Sequence, residues 1–172
     1  KSKDNIYDGI LGVSGGKDSL RQAIWLKEKF NLKILLVCVC YPPEQVSEIG
    51  VRNISNIINT GFDLEILSLS PKTWKELMKK SFINFSNWAK STEQALFSVV
   101  PRIAINYKIP LIFWGENPGL YVGDKKALSK KGYDGKNLKF LNTLKGGGIS
   151  WMKKLGFKDN KIFNYKYPSS IE

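Results

Sequence analysis

The chain contains no histidine. That absence excludes a Ser-His-Asp triad, a Cys-His pair and any histidine-based metal site. Cysteine is nearly as scarce: Cys38 and Cys40 stand two apart in one apparent strand. Residues i and i+2 of a strand share a face and do not pair readily with each other, so no disulfide framework is implied and a reduced, cytoplasmic setting is expected. No apolar run approaches the roughly 18 residues of a membrane span, and no signal-peptide pattern opens the sequence. Acidic residues are few, 15 Asp and Glu against 27 Lys and Arg, giving a net charge of +12. Such a balance suits an anionic partner (nucleic acid, a nucleotide sugar or an acidic protein) and equally suits a lysine-rich solvated surface; net charge does not choose between them. The lysines thicken at Lys125, Lys126, Lys130, Lys131, Lys136, Lys139 and Lys145, where any electrostatic footprint would lie. At 172 residues and 42% hydrophobic content, the chain is expected to be one soluble domain with a real core.

Apolar periodicity alternates between strand and helix. The run Ile6–Val13 reads as a first strand, and Leu20, Ala23, Ile24, Leu26 and Phe30 then recur at helical spacing to about Asn31. Residues 33–40 form a continuous apolar run of strand length, as in a parallel strand covered on both faces, stopped by Tyr41-Pro42-Pro43. Ile49, Val51, Ile54, Ile57 and Ile58 give a helix over residues 47–60 with Gly61 as its stop. Residues 63–68 read as a third strand, 71–82 as a helix with Pro71 in its first turn, and 82–91 as irregular. A further helix is expected over residues 92–107, broken or kinked at Pro101. Leu111–Trp114 is a short strand running into the tight polar loop Gly115–Gly119, and a short helix is expected around Ile149–Leu155. Strands alternating with helices predict an α/β fold with a doubly wound parallel sheet, whose ligands bind at the carboxyl ends of the strands. The loops meeting there would be 14–19, 41–48 and 115–119.

The first of these loops carries the most specific chemistry. Ser14-Gly15-Gly16-Lys17-Asp18-Ser19 joins a strand to a helix. A helix N-terminus offers unpaired N–H groups and a positive dipole end, and paired glycines let the backbone approach an anion closely. Lys17 adds a point charge, and Ser14 and Ser19 add hydroxyl donors. This is a phosphate cradle. It is not a Walker loop, because Leu11 stands where that motif needs its first glycine and Asp18 follows the lysine.

This string after a strand resembles the signature of the N-type ATP pyrophosphatases, the PP-loop enzymes, and implies their adenine nucleotide alpha hydrolase-like (HUP-type) fold. Within that superfamily, the segments Glu48–Asn53, Phe97–Arg102, Ile112–Pro118, Gly146–Met152 and Tyr165–Ser169 resemble the N-acetyl sugar amidotransferases of bacterial surface-polysaccharide biosynthesis. The resemblance runs from about Tyr7 to the last residue. Members of that family carry a cysteine-rich segment before the first strand and a further stretch after the Tyr-Pro-Ser region, so this sequence is expected to be part of a longer protein. The resemblance implies that 1–119 is the ATP pyrophosphatase core and 120–172 an irregular substrate-side or interface extension of the same domain. It also implies the reaction: ATP adenylates the acetamido oxygen of a nucleotide-linked sugar, pyrophosphate leaves, and ammonia displaces AMP to give an acetamidino sugar.

The cofactors so implied are ATP and Mg²⁺. Ser14, Gly15, Gly16, Lys17 and Ser19 would hold pyrophosphate, with Lys17, Asp18 and Glu116 as the catalytic group. Asp18 either holds Mg²⁺ or caps the helix. The backbone at Val39 to Tyr41 would pair with adenine, as carried over from the resemblance. Arg102, Asn117 and Trp151 are the expected substrate contacts, against readings of Arg102 as a solvated helix residue and of Asn117-Pro118-Gly119 as a plain turn. Glu48 faces the site or simply favours its helix dipole. Trp88, Trp114 and Trp151 read as core or wall residues before sugar-stacking platforms, Trp151 being the one kept as a contact because it stands beside Gly146–Gly148, and Cys38 and Cys40 read as inert packing, which disfavours thiolation chemistry.

A glutaminase needs a Cys-His pair, so ammonia is expected from a separate glutaminase partner. The competing readings are a tRNA-modifying PP-loop enzyme of lysidine or thiolation type, which would bind tRNA with steep salt dependence, and a non-catalytic nucleotide-binding module.

Overall fold

The computed structural model describes residues 5–115 and 147–169. Glu116, Asn117 and the lysine-rich segment from Lys125 to Lys145 lie outside the described residues. The chain groups into two compact units, Lys1–Leu69 with Ile103–Gly115, and Ser70–Arg102 with Glu116–Glu172.

The first unit holds β1 (Gly9–Gly12), α1 (Lys17–Phe30), β2 (Ile34–Cys40), a 3₁₀ turn (Pro43–Gln45), α2 (Glu48–Asn59), β3 (Leu64–Ser68) and β4 (Ile112–Phe113). Its four strands lie in the order β3-β2-β1-β4, every pair parallel. One face of the sheet, with Leu11, Val13, Leu36 and Cys38, packs with Ala23 and Leu26 of α1 and Ile57 of α2. Ile10, Leu35, Val37 and Val39 on the opposite face are buried as well. Burial on both faces is why β2 reads as an uninterrupted apolar run and not as an alternation. The chain winds outward through β2 and β3, then returns to pair β4 on the other side of β1. Strand order therefore reverses at β1, and the crevice at the carboxyl end of β1 is the switch point where such sheets bind ligands.

The second unit contains α3 (Pro71–Phe85), the greater part of α4 (Lys90–Asn106), α5 (Ser150–Lys154), α6 (Asp159–Ile162) and a 3₁₀ turn (Phe163–Tyr165). Trp74, Leu77, Val99, Met152, Ile162 and Tyr165 are among its buried side chains. Three expectations change here. Helix α3 runs on to Phe85, ended by Ser86 in the left-handed region with its N–H on the Phe82 carbonyl at 2.8 Å. Helix α4 passes through Pro101 without a break. A proline costs the helix one N–H, and the burial of Val99, Val100 and Ala104 around it outweighs that loss. Trp88, read from sequence as a core or wall residue, is 56% exposed.

Gln94 organises this unit. Its side chain is fully buried, its Nε2 donates to the carbonyls of Gly147 (3.2 Å) and Gly148 (3.1 Å), and its Oε1 accepts from Trp151 Nε1 (3.2 Å). The Gln94→Leu change leaves the buried Gly147 carbonyl, the Gly148 carbonyl and the half-buried Trp151 indole N–H without this partner. It is expected to lower unfolding stability by about 2–4 kcal/mol, measured by urea titration of the purified protein.

Candidate functional site

Parallel pairing carries β1 as far as Val13, whose N–H donates to the Val37 carbonyl at 2.8 Å. The chain then turns through Gly15 at φ +86 and Gly16 in an extended conformation, and α1 begins at Lys17. Gly16 is the N-cap, and no side chain caps the helix. Its carbonyl receives the first helical bond, from Leu20 N at 3.2 Å. The N–H groups of Lys17, Asp18 and Ser19 consequently have no acceptor within the helix. Lys17 and Asp18 are exposed and have no hydrogen bond or ion pair with other described residues. The Asp18 side chain makes no capping hydrogen bond to α1.

The two serines behave differently. Ser19 is buried and its Oγ donates to the Gly16 carbonyl at 3.0 Å, closing the first turn. Ser14 is exposed and its Oγ accepts from Gly16 N at 3.4 Å. Gly15 has no room for a side chain. A Cβ there would lie 3.2 Å from Asn53 Cβ and 3.5 Å from Ile54 N, both on α2. Helix α2 thus closes directly over the turn, its own start fixed by Ser47, whose Oγ accepts from Gly50 N at 3.2 Å. Glu48 opens that helix, exposed and in its first turn, where it favours the dipole.

The backbone of β2 supplies a further edge. Leu36 N donates to Asp63 O on the β3 side at 3.0 Å, whereas Val37 O accepts from Val13 on the β1 side. Backbone groups alternate in direction along a strand, so Val39 presents its N–H and C=O on the side where β1 has already ended. Tyr41 follows just beyond the strand, 37% exposed. Within the first unit, then, residues 14–19, Val39 and Tyr41 come together at the carboxyl ends of adjacent strands.

No protein-family model and no curated protein matches the chain. Among solved structures it is similar to the NMN synthetase from Francisella tularensis, at 16% identity and a TM-score of 0.51 over 94% of this chain and 68% of that one. It is likewise similar to the NH3-dependent NAD synthetase from Campylobacter jejuni, at 14% identity and a TM-score of 0.50 over 96% of this chain and 72% of that one. The likeness is one of fold, which in this chain is a four-stranded parallel sheet with helices packed on it. The fold is that of the adenine nucleotide alpha hydrolase-like PP-loop proteins. A glutamine-dependent NAD+ synthetase from Acinetobacter baumannii also matches, at 22% identity and a TM-score of 0.45 over 69% of this chain, which spans 23% of that protein's length.

Within this fold the β1–α1 turn lies at the switch point, and α2 packs against it at Asn53 and Ile54. Asn53 is the residue against the turn that the sequence pattern did not single out by itself. It sits on the side of α2 that carries buried Ile57 and half-buried Ile54, a polar residue where the helix faces inward. That mismatch between residue type and face is the signal by which it was findable. The loop suits an ATP–Mg²⁺ pair: unpaired N–H groups and Lys17 for phosphate oxygens, and one free carboxylate, Asp18. Among the described residues no three His, Cys, Asp or Glu side chains gather to hold a metal. Mg²⁺ is commonly bound through one or two carboxylates plus substrate phosphates, so a single aspartate beside a triphosphate fits it.

Arg102 and Trp151 belong to the second unit. Arg102 Nη2 donates to the Lys166 carbonyl at 2.7 Å, and its guanidinium stacks 4.2 Å from the Phe163 ring centroid. Trp151 packs edge-on against Phe85 and gives its N–H to Gln94. Each therefore has an evident packing partner within its own unit. Cys38 and Cys40 are free, with sulfurs 4.0 Å apart, and burial foremost, with the neighbouring thiol, pushes the Cys38 thiol up to about 12. A thiol so raised stays protonated and inert at neutral pH. An apolar cavity of about 440 Å³ between α1 and β4, lined by Gln22, Trp25, Phe30, Phe113 and Trp114 among others, holds none of the expected site residues. No helix among the described residues is long and apolar enough to cross a membrane.

Proposed function

We propose that the protein is an ATP-dependent amidotransferase that converts the acetamido group of a nucleotide-linked sugar to an acetamidino group for surface-glycan biosynthesis. The observation that carries this reading is the open β1–α1 turn, with Gly15 at positive φ under α2 and the first N–H groups of α1 unclaimed. In the proposed reaction the amide oxygen attacks the α-phosphorus of ATP, and the bond to the β-phosphate breaks. Ser14, Gly15, Gly16, Lys17 and Ser19 hold the departing pyrophosphate, whose charge grows as the bond breaks; donors already aimed at it lower that barrier without reorganising. Because the Ser19 hydroxyl proton is engaged by Gly16, the contribution of Ser19 is its backbone N–H. Mg²⁺, held by Asp18 and the phosphates, would neutralise part of that charge.

The Val39 backbone offers one donor and one acceptor to the edge of adenine, with Tyr41 beside it. Ammonia then adds to the activated carbon, loses a proton, and AMP departs with the former amide oxygen. Glu116 is assigned to the catalytic group, and Arg102, Asn117 and Trp151 to the sugar nucleotide. Residues 1–119 would carry the activation step and 120–172 the substrate side. Ammonia comes from a separate glutaminase, since a chain with no histidine cannot build the Cys-His pair. The raised Cys38 thiol weighs against the thiolation alternative. A cytoplasmic location, where ATP and nucleotide sugars are made, goes with this reading.

The test is an assay with ATP, Mg²⁺, a panel of nucleotide-linked N-acetyl sugars and ammonium chloride. AMP, pyrophosphate and amidino sugar are expected in equal amounts with ammonium and not with glutamine alone. Turnover on glutamine without a second protein would remove the glutaminase partner. Salt-sensitive tRNA binding with no sugar turnover would replace the whole reading by a tRNA-modifying one.

A further inference from the structure

Helix α2 brings one polar side chain against the turn, and nothing in the described part of the protein satisfies it. Asn53 is half-buried, and its carboxamide makes no hydrogen bond to any other described residue. Its Cβ lies 3.2 Å from where a Gly15 side chain would begin, so its carboxamide starts at the wall of the loop. One turn away in either direction, α2 shows why the position is defined so closely. Ile57 is fully buried in the core, and Gly50 is small because a Cβ there would meet Val46 Cγ1 at 3.1 Å. Both anchor the helix, so Asn53 has little freedom to move from the turn. An asparagine at an inward-facing helix position is poor packing and weak for helix formation, which a leucine or alanine would avoid. Its retained polarity is explained if a ligand satisfies it.

We propose that Asn53 is a phosphate-binding residue: its Nδ2 donates to an oxygen of the pyrophosphate portion of the nucleotide, so that α2 forms the second wall of the clamp opposite Lys17. The assignment rests on the reading of the β1–α1 turn as an ATP site. It adds an uncharged donor on a rigid helix to a loop otherwise built from backbone N–H groups and one flexible lysine. An amide also discriminates by charge, since a carboxylate at the same place would repel the phosphates.

Isothermal titration with inorganic pyrophosphate and Mg²⁺, and separately with adenosine, tests this on the full chain. Asn53→Ala is expected to bind pyrophosphate about tenfold more weakly, as for a lost hydrogen bond to a charged group, and to bind adenosine as the wild type does. Asn53→Asp, close to isosteric, is expected to weaken pyrophosphate by about a further tenfold while its thermal midpoint stays near that of wild type. A merely structural role would lower the midpoint and weaken both ligands together. Wild-type affinity for pyrophosphate in both variants would overturn the assignment of Asn53 while leaving the ATP site standing. A wild-type protein that binds neither ligand would overturn the ATP reading, and the assignment with it.

Discussion

Gly15→Ala is expected to lose at least about a hundredfold in AMP formation and to be less stable than wild type by about 1–3 kcal/mol. Two independent costs meet at this position. The backbone stands at φ +86, a region that a residue with a Cβ enters only with strain. The added methyl would also lie 3.2 Å from Asn53 Cβ and 3.5 Å from Ile54 N. A side chain can swing aside, but the backbone of α2 cannot without moving the helix. Either α2 shifts outward or the turn flattens, and in both cases the N–H groups no longer converge on one point. Gly61→Ala separates the two effects. Gly61 has φ +75 but nothing within 4 Å of its would-be Cβ, and it lies at the far end of α2 from the loop. That variant should pay the strain alone, by about 1 kcal/mol, with unchanged activity. Equal activity loss in both variants would mean that general destabilisation, and not loop geometry, limits the reaction.

Asp18→Ala is expected to abolish pyrophosphate release while the protein stays folded. The carboxylate is exposed, has no partner among the described residues and does not cap α1. Its removal costs stability only through the helix dipole, about 0.3–1 kcal/mol. If it helps hold the Mg²⁺ that neutralises the leaving pyrophosphate, its loss withdraws several kcal/mol from the transition state, a rate loss of about a hundredfold or more. The variant should melt within a few degrees of wild type and show a much weaker dependence on Mg²⁺ concentration. Retained turnover with an unchanged Mg²⁺ profile would remove the metal role from Asp18.

Much of the architecture was legible because burial leaves a period in the sequence. The run from Ile34 to Cys40 is apolar throughout because both sides of β2 are covered; for the same reason its pattern carried no register, and the pairing of Gly9 with Ile34 is seen only in the structure. The end of α3 was less legible. Phe82, Ile83 and Phe85 are exposed, so the last turn carries no inward stripe to reveal it. At Pro101 local preference pointed to a break or a kink; α4 does not break there, with Val99, Val100 and Ala104 buried around it. At the candidate site, the string from Ser14 to Ser19 announced an anion-binding turn, yet spacing could not show that the Ser19 hydroxyl folds back onto Gly16. Nor could it show which helix closes over Gly15. That is a contact between residues far apart in the chain, and it is what brings Asn53 to the loop.

The central claim is that the nucleotide activates an amide oxygen. The most direct measurement starts from a nucleotide-linked N-acetyl sugar carrying ¹⁸O in its acetamido carbonyl, incubated with the protein, ATP, Mg²⁺ and ammonium. Mass spectrometry of the products should find the label in the phosphate of AMP, with pyrophosphate unlabelled and the sugar carrying nitrogen in its place. Label retained in the sugar, or formation of ADP and orthophosphate in place of AMP and pyrophosphate, would contradict it.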